Sequence, residues 1–319
     1  MQRSVMSPYE ALVRAVPLAR RSPMIAGFQP ERPWLKLGGF IALAMLLMVV
    51  VTIVLAIIVR IIPGATEQLS LSGPLPDTPM RLVDESVTML LLAAILGGLA
   101  LAILAAAAMI YLRPLSDFLW PGRRFNARDL GVGFLAMACV SVILFPFYLL
   151  MGGEWTPPLL SPTYADWTRP VFVVASVVGL LGAAAAEEVI CRGVLLRLTT
   201  QLTRHPVVLC LINGLLFSAL HLDPDPVAYV ARALSGAIWT WAAIRLGGLE
   251  FAIGAHLANN LMICLFWQPL SAMEVGRDSD WIELAPELFV AVVMLIVIER
   301  LADGPRDGRP ARLASRGTA

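Results

Sequence analysis

Long apolar runs separated by short polar segments dominate this chain. About 20 consecutive apolar residues are needed for a helix to cross the hydrocarbon core of a bilayer. Eight runs are near that length: Leu37–Val59, Val87–Leu112, Leu130–Met151, Val171–Leu202, Pro206–Leu222, Val227–Leu246, Leu249–Phe266 and Leu284–Ile298. The pattern predicts an all-α fold, a polytopic transmembrane helix bundle of about eight spans.

The two ends of the chain differ from this central part. Residues 1–36 are basic, and the order Ser7, Pro8, Glu10 is typical of a helix start. This segment is interpreted as cytoplasmic, either a helix on the membrane surface or a frayed tail. Residues 37–300 are expected to form the transmembrane helical domain, and its functional core is expected at about 130–300. The Arg-rich tail 301–319 is expected to be disordered.

Composition supports the membrane interpretation and excludes several other classes. Hydrophobic residues make up 58% of the chain and charged residues 15%, whereas soluble domains carry about 25% charged residues. The net charge of +1 gives no general attraction for nucleic acid. The four cysteines lie in apolar runs without CxxC spacing, which excludes a disulfide framework and a cysteine zinc site.

The distribution of arginine predicts the orientation of the bundle. Basic residues concentrate at both ends of the chain and in alternate loops, and the other loops are richer in acids. By the positive-inside rule, both termini are cytoplasmic. Four tryptophans then fall in outer loops, as an interfacial aromatic belt would: Trp155, Trp167, Trp267 and Trp281.

Two adjacent glutamates interrupt the fourth apolar run. An ionised side chain at mid-membrane costs roughly 2.5–3.5 kcal/mol on insertion scales. Glu188 and Arg192 are four residues apart, so they share a helix face and can pair. Glu187 has Cys191 at the same spacing, which cannot neutralise it. Glu187 is therefore predicted to face a polar cavity as a base or ligand, the alternative being a structural clamp of two acids and one base.

Two of the three histidines lie inside apolar runs. Phe217 and His221 are four residues apart, as are His256 and Asn260. Counting residues from the turn at His205 puts Glu187 and His221 at similar depth. A count from the next turn, at Gly247, puts His256 roughly 10 Å nearer the cytoplasm than His221 if the helices are upright, so convergence of all three requires helix tilt or a kink.

The ordered motifs resemble a known family. They are EExxxR at Glu187, Glu188 and Arg192, FxxxH at Phe217 and His221, and HxxxN at His256 and Asn260. This set resembles the CPBP family of intramembrane proteases, which includes CAAX prenyl endopeptidases and the bacteriocin-processing and immunity (Abi) proteins. The resemblance covers about residues 130–300.

The resemblance implies a role for each matched residue. Glu187 would be the base that activates water, and His221 would share in that activation. His256 and Asn260 would bind the developing oxyanion. Glu188 and Arg192, with Phe217, would hold the site together. It also implies a peptide or protein substrate, prenylated or otherwise membrane-anchored, and a multi-pass protein of the bacterial plasma membrane.

The metal requirement stays open at this point. Two histidines and one carboxylate form a catalytic zinc ligand set, here Glu187, His221 and His256. The sequence lacks HExxH, and a metal-free glutamate mechanism is considered equally. Two other functions also remain: a non-catalytic scaffold or immunity protein of the same fold, and a proton-coupled transporter, for which Arg232 would be a relay residue.

Overall fold

Helices account for all the regular structure in the described part of the chain. The computed structural model describes residues 8–26, 30–61, 77–150, 155, 157–267 and 279–304. Its helices are α1 Pro8–Ala19, α2 Pro33–Ile61, α3 Arg81–Tyr111, α4 Ser116–Leu119, α5 Ala127–Leu150, α6 Thr168–Thr199, α7 Pro206–Ala219, α8 Pro226–Leu246, α9 Glu250–Phe266 and α10 Leu284–Asp303. The all-α prediction is confirmed.

Eight of these helices correspond to the eight apolar runs. Helices α2, α3, α5, α6 and α8 are long and apolar enough to cross a membrane, and so is α10 with the turn before it. Helices α7 and α9 are apolar but shorter, with 14 and 17 residues. The chain is thus a multi-pass membrane protein. Its orientation and the number of full spans stay predictions, and the predicted tail beyond residue 304 lies outside the described residues.

Glycines set the close approach of neighbouring helices. A Cβ at Gly179 of α6 would lie 2.7 Å from the carbonyl oxygen of Met89 in α3. A Cβ at Gly236 of α8 would lie 3.0 Å from the Cα of Gly214 in α7. Small residues at such crossings let backbones pack closely in membranes, where water does not drive association.

Helix α1 begins at Pro8, where the sequence pattern places a helix start. Ala15 and Ala19 on its later turns are buried against the bundle. Just beyond it, the hydroxyl of Ser22 donates a 2.5 Å hydrogen bond to the carbonyl of Ile244, near the end of α8. This segment therefore packs on the bundle where α8 ends.

Candidate active site

The two glutamates lie where helix α6 changes its geometry. The α-helical part of α6 ends at Glu188, and Val189–Leu195 form a π-helical turn before the α-helix resumes. The sequence analysis assumed an uninterrupted α-helix here. A π-turn accommodates an extra residue, and such turns occur frequently at functional sites. Arg192 lies inside this turn.

A fully buried ion pair, Glu188 with Arg192, lies beside the candidate site. Arg192 Nη1 donates a 2.9 Å hydrogen bond to Glu188 Oε1, and both side chains are completely inaccessible. Arg192 Nη2 donates to the carbonyl of Gly236 in α8 at 3.0 Å. The guanidinium also lies 4.4 Å from the ring centre of Phe217. This arrangement joins α6, α7 and α8 around one cation.

Glu188 has a second partner that sequence spacing did not indicate. Its Oε1 atom also lies 2.9 Å from Nδ1 of His256, on α9. The spacing of residues along the chain indicated only Arg192 as a partner of Glu188. A contact between residues 68 positions apart has no local signal in one sequence, so it appears only when α6 and α9 pack together.

The structure brings Glu187 and the two predicted histidines together. Glu187 Oε2 lies 3.7 Å from Nε2 of His221 and 3.9 Å from Nε2 of His256. The offset estimated for His256 is therefore closed. His221 itself lies in the turn that follows α7, which ends at Ala219.

The partners of the two imidazoles determine which nitrogen carries a proton. His221 Nδ1 lies 2.9 Å from the carbonyl oxygen of Phe217, which can only accept. His256 Nδ1 faces the carboxylate of Glu188, whose Oε1 also accepts from Arg192. Both Nδ1 atoms are therefore assigned as donors, so both Nε2 atoms of the neutral rings present lone pairs toward Glu187.

Three lone-pair groups that converge in this way attract a proton or a water molecule. The distances of 3.7 and 3.9 Å exceed those of a direct hydrogen bond and suit a bridging water. Glu187 and His221 are partly open to the surroundings, with 23% and 32% of their side chains exposed, whereas 5% of His256 is exposed. The site therefore has an open side at His221 and a closed side at His256.

Aromatic rings hold the two imidazoles in place. The ring centre of Phe217 lies 4.8 Å from that of His221 and 6.1 Å from that of His256. Trp239 of α8 stacks on His256, with centres 4.6 Å apart and an interplanar angle of 26°. Trp239 was not among the predicted site residues, because one tryptophan in an apolar helix forms no specific sequence pattern.

Asn260 is placed near the site without joining it. It lies one turn beyond His256 on α9, and its Oδ1 accepts a 3.1 Å hydrogen bond from Asn259 Nδ2. Among the contacts of the described residues, no hydrogen bond or ion pair joins Asn260 directly to Glu187, His221 or His256. The side-chain amide of Asn260 remains a candidate hydrogen-bond donor to a substrate.

The zinc requirement stays a prediction. Within the ranges that the structure describes, no group of three or more His, Cys, Asp or Glu side chains is arranged to hold a metal ion. A zinc ion needs ligand atoms about 2.0–2.2 Å away around one common centre. The side chains of Glu187, His221 and His256 would have to move to meet that requirement.

Arg232, the feature that supported a transporter, has an acidic partner. Its Nη2 donates a 2.8 Å hydrogen bond to Oδ2 of Asp223, in the loop between α7 and α8. The same loop contains Asp225, which caps α8 by accepting from the backbone N–H groups of Val227 and Ala228. Arg232 thus ties α8 to the loop that follows His221.

Comparison with known proteins gives two matches. Residues 169–262 match the family described as type II CAAX prenyl endopeptidase, Rce1-like. The uncharacterized protein YyaK of Bacillus subtilis is 29% identical over 183 residues, which cover 54% of this chain and 59% of that relative. The match therefore leaves about two fifths of that relative uncovered. No solved structure matches the chain.

The match to the family spans every predicted site residue. It begins near the start of α6 and ends just after Asn260 on α9. The resemblance drawn from the motifs is confirmed by this match. Helices α2 and α3 lie outside it, as does α10.

Proposed function

We propose that this chain is an intramembrane endopeptidase. The premise is that residues 169–262 form the core of a CAAX protease-like membrane protein of the Rce1-like family. The observation that carries the proposal is the convergence of Glu187 Oε2 with the Nε2 atoms of His221 and His256. An acid and two imidazoles within bridging distance are the groups that peptide hydrolysis requires.

In the proposed reaction, Glu187 and His221 activate a water molecule. Water held between Glu187 Oε2 and His221 Nε2 would donate a proton to one of these lone pairs as its oxygen attacks the peptide carbonyl. Both groups lie on the open side of the site, where a substrate backbone would enter. A general base at this position typically contributes a factor of about 10²–10⁴ in rate.

His256 is suited to charge stabilisation on the closed side. Its Nδ1–H donates to Glu188, which holds the orientation of the ring. The proton taken from the attacking water would pass from Glu187 Oε2 to His256 Nε2, 3.9 Å away, and this Nε2–H would then donate to the oxyanion or be transferred to the leaving amine. The Asn260 amide would add a second donor, as the family resemblance implies.

The substrate proposed is a peptide segment of a membrane-associated protein, prenylated in the manner that the family description suggests. The reacting groups lie between helices of a bundle in a bilayer, so a substrate anchored in the membrane would reach them by lateral diffusion. The relative in Bacillus subtilis is consistent with a bacterial plasma membrane as the location.

Cleavage of peptides by purified protein tests this function. A library of fluorogenic peptides, half carrying a C-terminal farnesylated cysteine motif, is incubated with the wild type and with Glu187→Gln. We expect Glu187→Gln to lower kcat/KM by about 100-fold or more. The matched control is Glu287→Gln in α10, outside the site, which should cleave like the wild type. Equal cleavage by wild type and Glu187→Gln would show that Glu187 is not the base.

Treatment with a chelator distinguishes a metal-free mechanism from a zinc-dependent one. The reaction proposed here uses no metal, so prolonged treatment with 1,10-phenanthroline should leave kcat/KM unchanged. Loss of cleavage that zinc restores would instead assign Glu187, His221 and His256 as zinc ligands, with the peptide bond hydrolysed by a metal-activated water.

A further inference from the structure

A second concave site lies at the end of the bundle where α3 and α6 finish, and it shares no lining residue with the site around Glu187. It is a cavity of about 330 Å³. This volume is at the lower end of the range for small-ligand pockets, so it suits a compact polar group. Its lining comes from the segment after α1, the connection around α4 and the last turn of α6: Arg21, Pro23, Ala26, Arg113, Asp117, Phe118, Pro121, Gly122 and Arg197.

The charges around this cavity do not balance. Three guanidinium groups line it, those of Arg21, Arg113 and Arg197, against the single carboxylate of Asp117. Asp117 is already engaged, because its Oδ2 lies 3.6 Å from Nη1 of Arg113. Two positive charges are therefore in excess around the cavity, which favours an anionic occupant.

Arg197 is the buried member of this group. Its side chain is 3% exposed, and Nη1 donates to the carbonyls of Pro23 and Met24 at 2.6 and 2.8 Å. Nη2 donates to the main-chain carbonyl of Asp117. The acceptors of these hydrogen bonds are neutral carbonyl oxygens. Within the described part of the chain, they fix the orientation of the Arg197 guanidinium, and none of these hydrogen bonds neutralises its positive charge. Arg197 therefore holds the cavity walls together.

The position of the cavity relates it to the membrane surface. Arg113 directly follows the end of α3, and Arg197 is two residues before the end of α6. Both helices are long and apolar enough to span the bilayer, so their ends lie at the level of the lipid headgroups. Basic pockets between transmembrane helices on the cytoplasmic side bind anionic lipid headgroups.

We propose that this cavity binds a phosphate group, supplied either by the phosphodiester of an anionic phospholipid or by free phosphate. The phosphate oxygens would accept from Arg21 and Arg113 at the opening, with Arg197 contributing positive charge from below. Because Arg197 also holds Pro23 and Met24, occupancy would stabilise the packing of the N-terminal segment on the bundle. This site does not depend on the proposed peptidase activity.

Binding of short-chain lipids to the purified protein tests the proposal. Dioctanoyl phosphatidylglycerol, dioctanoyl phosphatidylcholine and inorganic phosphate are titrated separately into detergent-solubilised protein, and Kd is measured. We expect the double variant Arg21→Gln/Arg113→Gln to weaken binding of phosphatidylglycerol roughly tenfold or more, since each arginine near such a surface contributes appreciably. The matched control is Arg128→Gln, an exposed arginine on the same predicted side that does not line the cavity.

Each outcome decides between the alternatives. Selective binding of phosphatidylglycerol, lost in the double variant, supports a lipid source, and competition by inorganic phosphate supports free phosphate. If the double variant proves unstable, the exposed single variant Arg21→Gln should still weaken binding. Equal affinity in wild type, Arg21→Gln and Arg128→Gln, or the absence of binding by every probe, overturns the proposal.

Discussion

Glu188 is the residue on which the buried polar network is centred. One carboxylate oxygen, Oε1, accepts from Arg192 and lies at hydrogen-bond distance from His256, and the side chain is completely inaccessible. A buried ion pair contributes little net stability compared with apolar residues, but removing one partner leaves an uncompensated charge. Glu188 therefore couples the stability of the bundle to the orientation of an imidazole in the candidate site.

Removal of Glu188 alone should be far more damaging than removal of the pair. Glu188→Ala leaves Arg192 buried without its carboxylate, and we expect a loss of about 3–5 kcal/mol in the free energy of unfolding. The double variant Glu188→Leu/Arg192→Met should recover a large part of this loss. Unfolding in detergent, followed by circular dichroism, measures both. Similar stabilities for Glu188→Ala and the wild type would contradict the role of this pair.

The stack between Trp239 and His256 gives a second prediction for single residues. Trp239→Leu keeps an apolar side chain but removes the ring that lies on the imidazole. If the stack positions His256 for catalysis, kcat should fall by about tenfold or more with a small change in KM, since misplacement near the reacting groups is costly. The control is Trp241→Leu, whose indole donates to Glu299 away from the site. Equal effects of both substitutions on kcat would indicate that Trp239 acts only in packing.

At the scale of helices, the crossing of α7 and α8 determines the width of the site. Gly214 and Gly236 meet there, and Gly236 also supplies the carbonyl that accepts from Arg192. A methyl group at Gly214 would overlap the backbone of α8 at Ala233, which cannot move without shifting the helix. The interhelical distance, and hence the position of His221 relative to Glu187, depends on these two residues.

Gly214→Ala should therefore lower both stability and activity. Alanine is favoured over glycine within a helix by about 1 kcal/mol, so any destabilisation reports the steric overlap. Gly97→Ala in α3 is the matched control, because a Cβ at Gly97 has no atom within 4 Å. We expect a lower thermal midpoint for Gly214→Ala and an unchanged or slightly higher one for Gly97→Ala. The reverse order would rule out close α7–α8 packing.

The loop between α7 and α8 contributes to the stability of the fold in a way that depends on pH in the acidic range. Ser279 and the N–H groups of Val227 and Ala228 donate to Asp225, which lowers the pKa of its carboxyl below the usual 3.8. A depressed pKa in the folded state contributes stability that is present above pH 3.8 and lost as the pH falls further. Asp225→Asn should flatten this part of the stability profile, as measured by thermal midpoints between pH 2.5 and 5. An unchanged slope would show that Asp225 makes no such contribution.

At the scale of the whole molecule, the distribution of arginine predicts which ends of the helices face the cytoplasm. The proposed phosphate-binding cavity lies at this same end of the bundle, so the orientation of the bundle determines which side of the membrane the cavity faces. Three of the four cysteines, Cys191, Cys210 and Cys264, are buried. This leaves a low background for labelling of introduced cysteines by a membrane-impermeant maleimide.

Labelling of single introduced cysteines tests that orientation. Asp166→Cys is placed before α6, at a side chain that is 91% exposed, and should react in intact cells. Arg128→Cys, near the start of α5, should react only after the membrane is permeabilised. The native chain, with Cys139 as its exposed thiol, provides the background. Labelling of Arg128→Cys in intact cells would invert the predicted topology.

The sequence by itself determined the helical class, the positions of eight apolar helices and the motif residues, because hydrophobic periodicity and short spacings are local properties of the chain. It indicated the pairing of Glu188 with Arg192 for the same reason, since the two lie one helical turn apart. Only the tertiary structure decided that Glu188 contacts His256, that Trp239 stacks on that ring, and that His256 lies within 3.9 Å of Glu187 despite the offset expected from upright helices. These contacts join residues that are far apart in the chain, and their geometry depends on how helices cross, which no local pattern encodes.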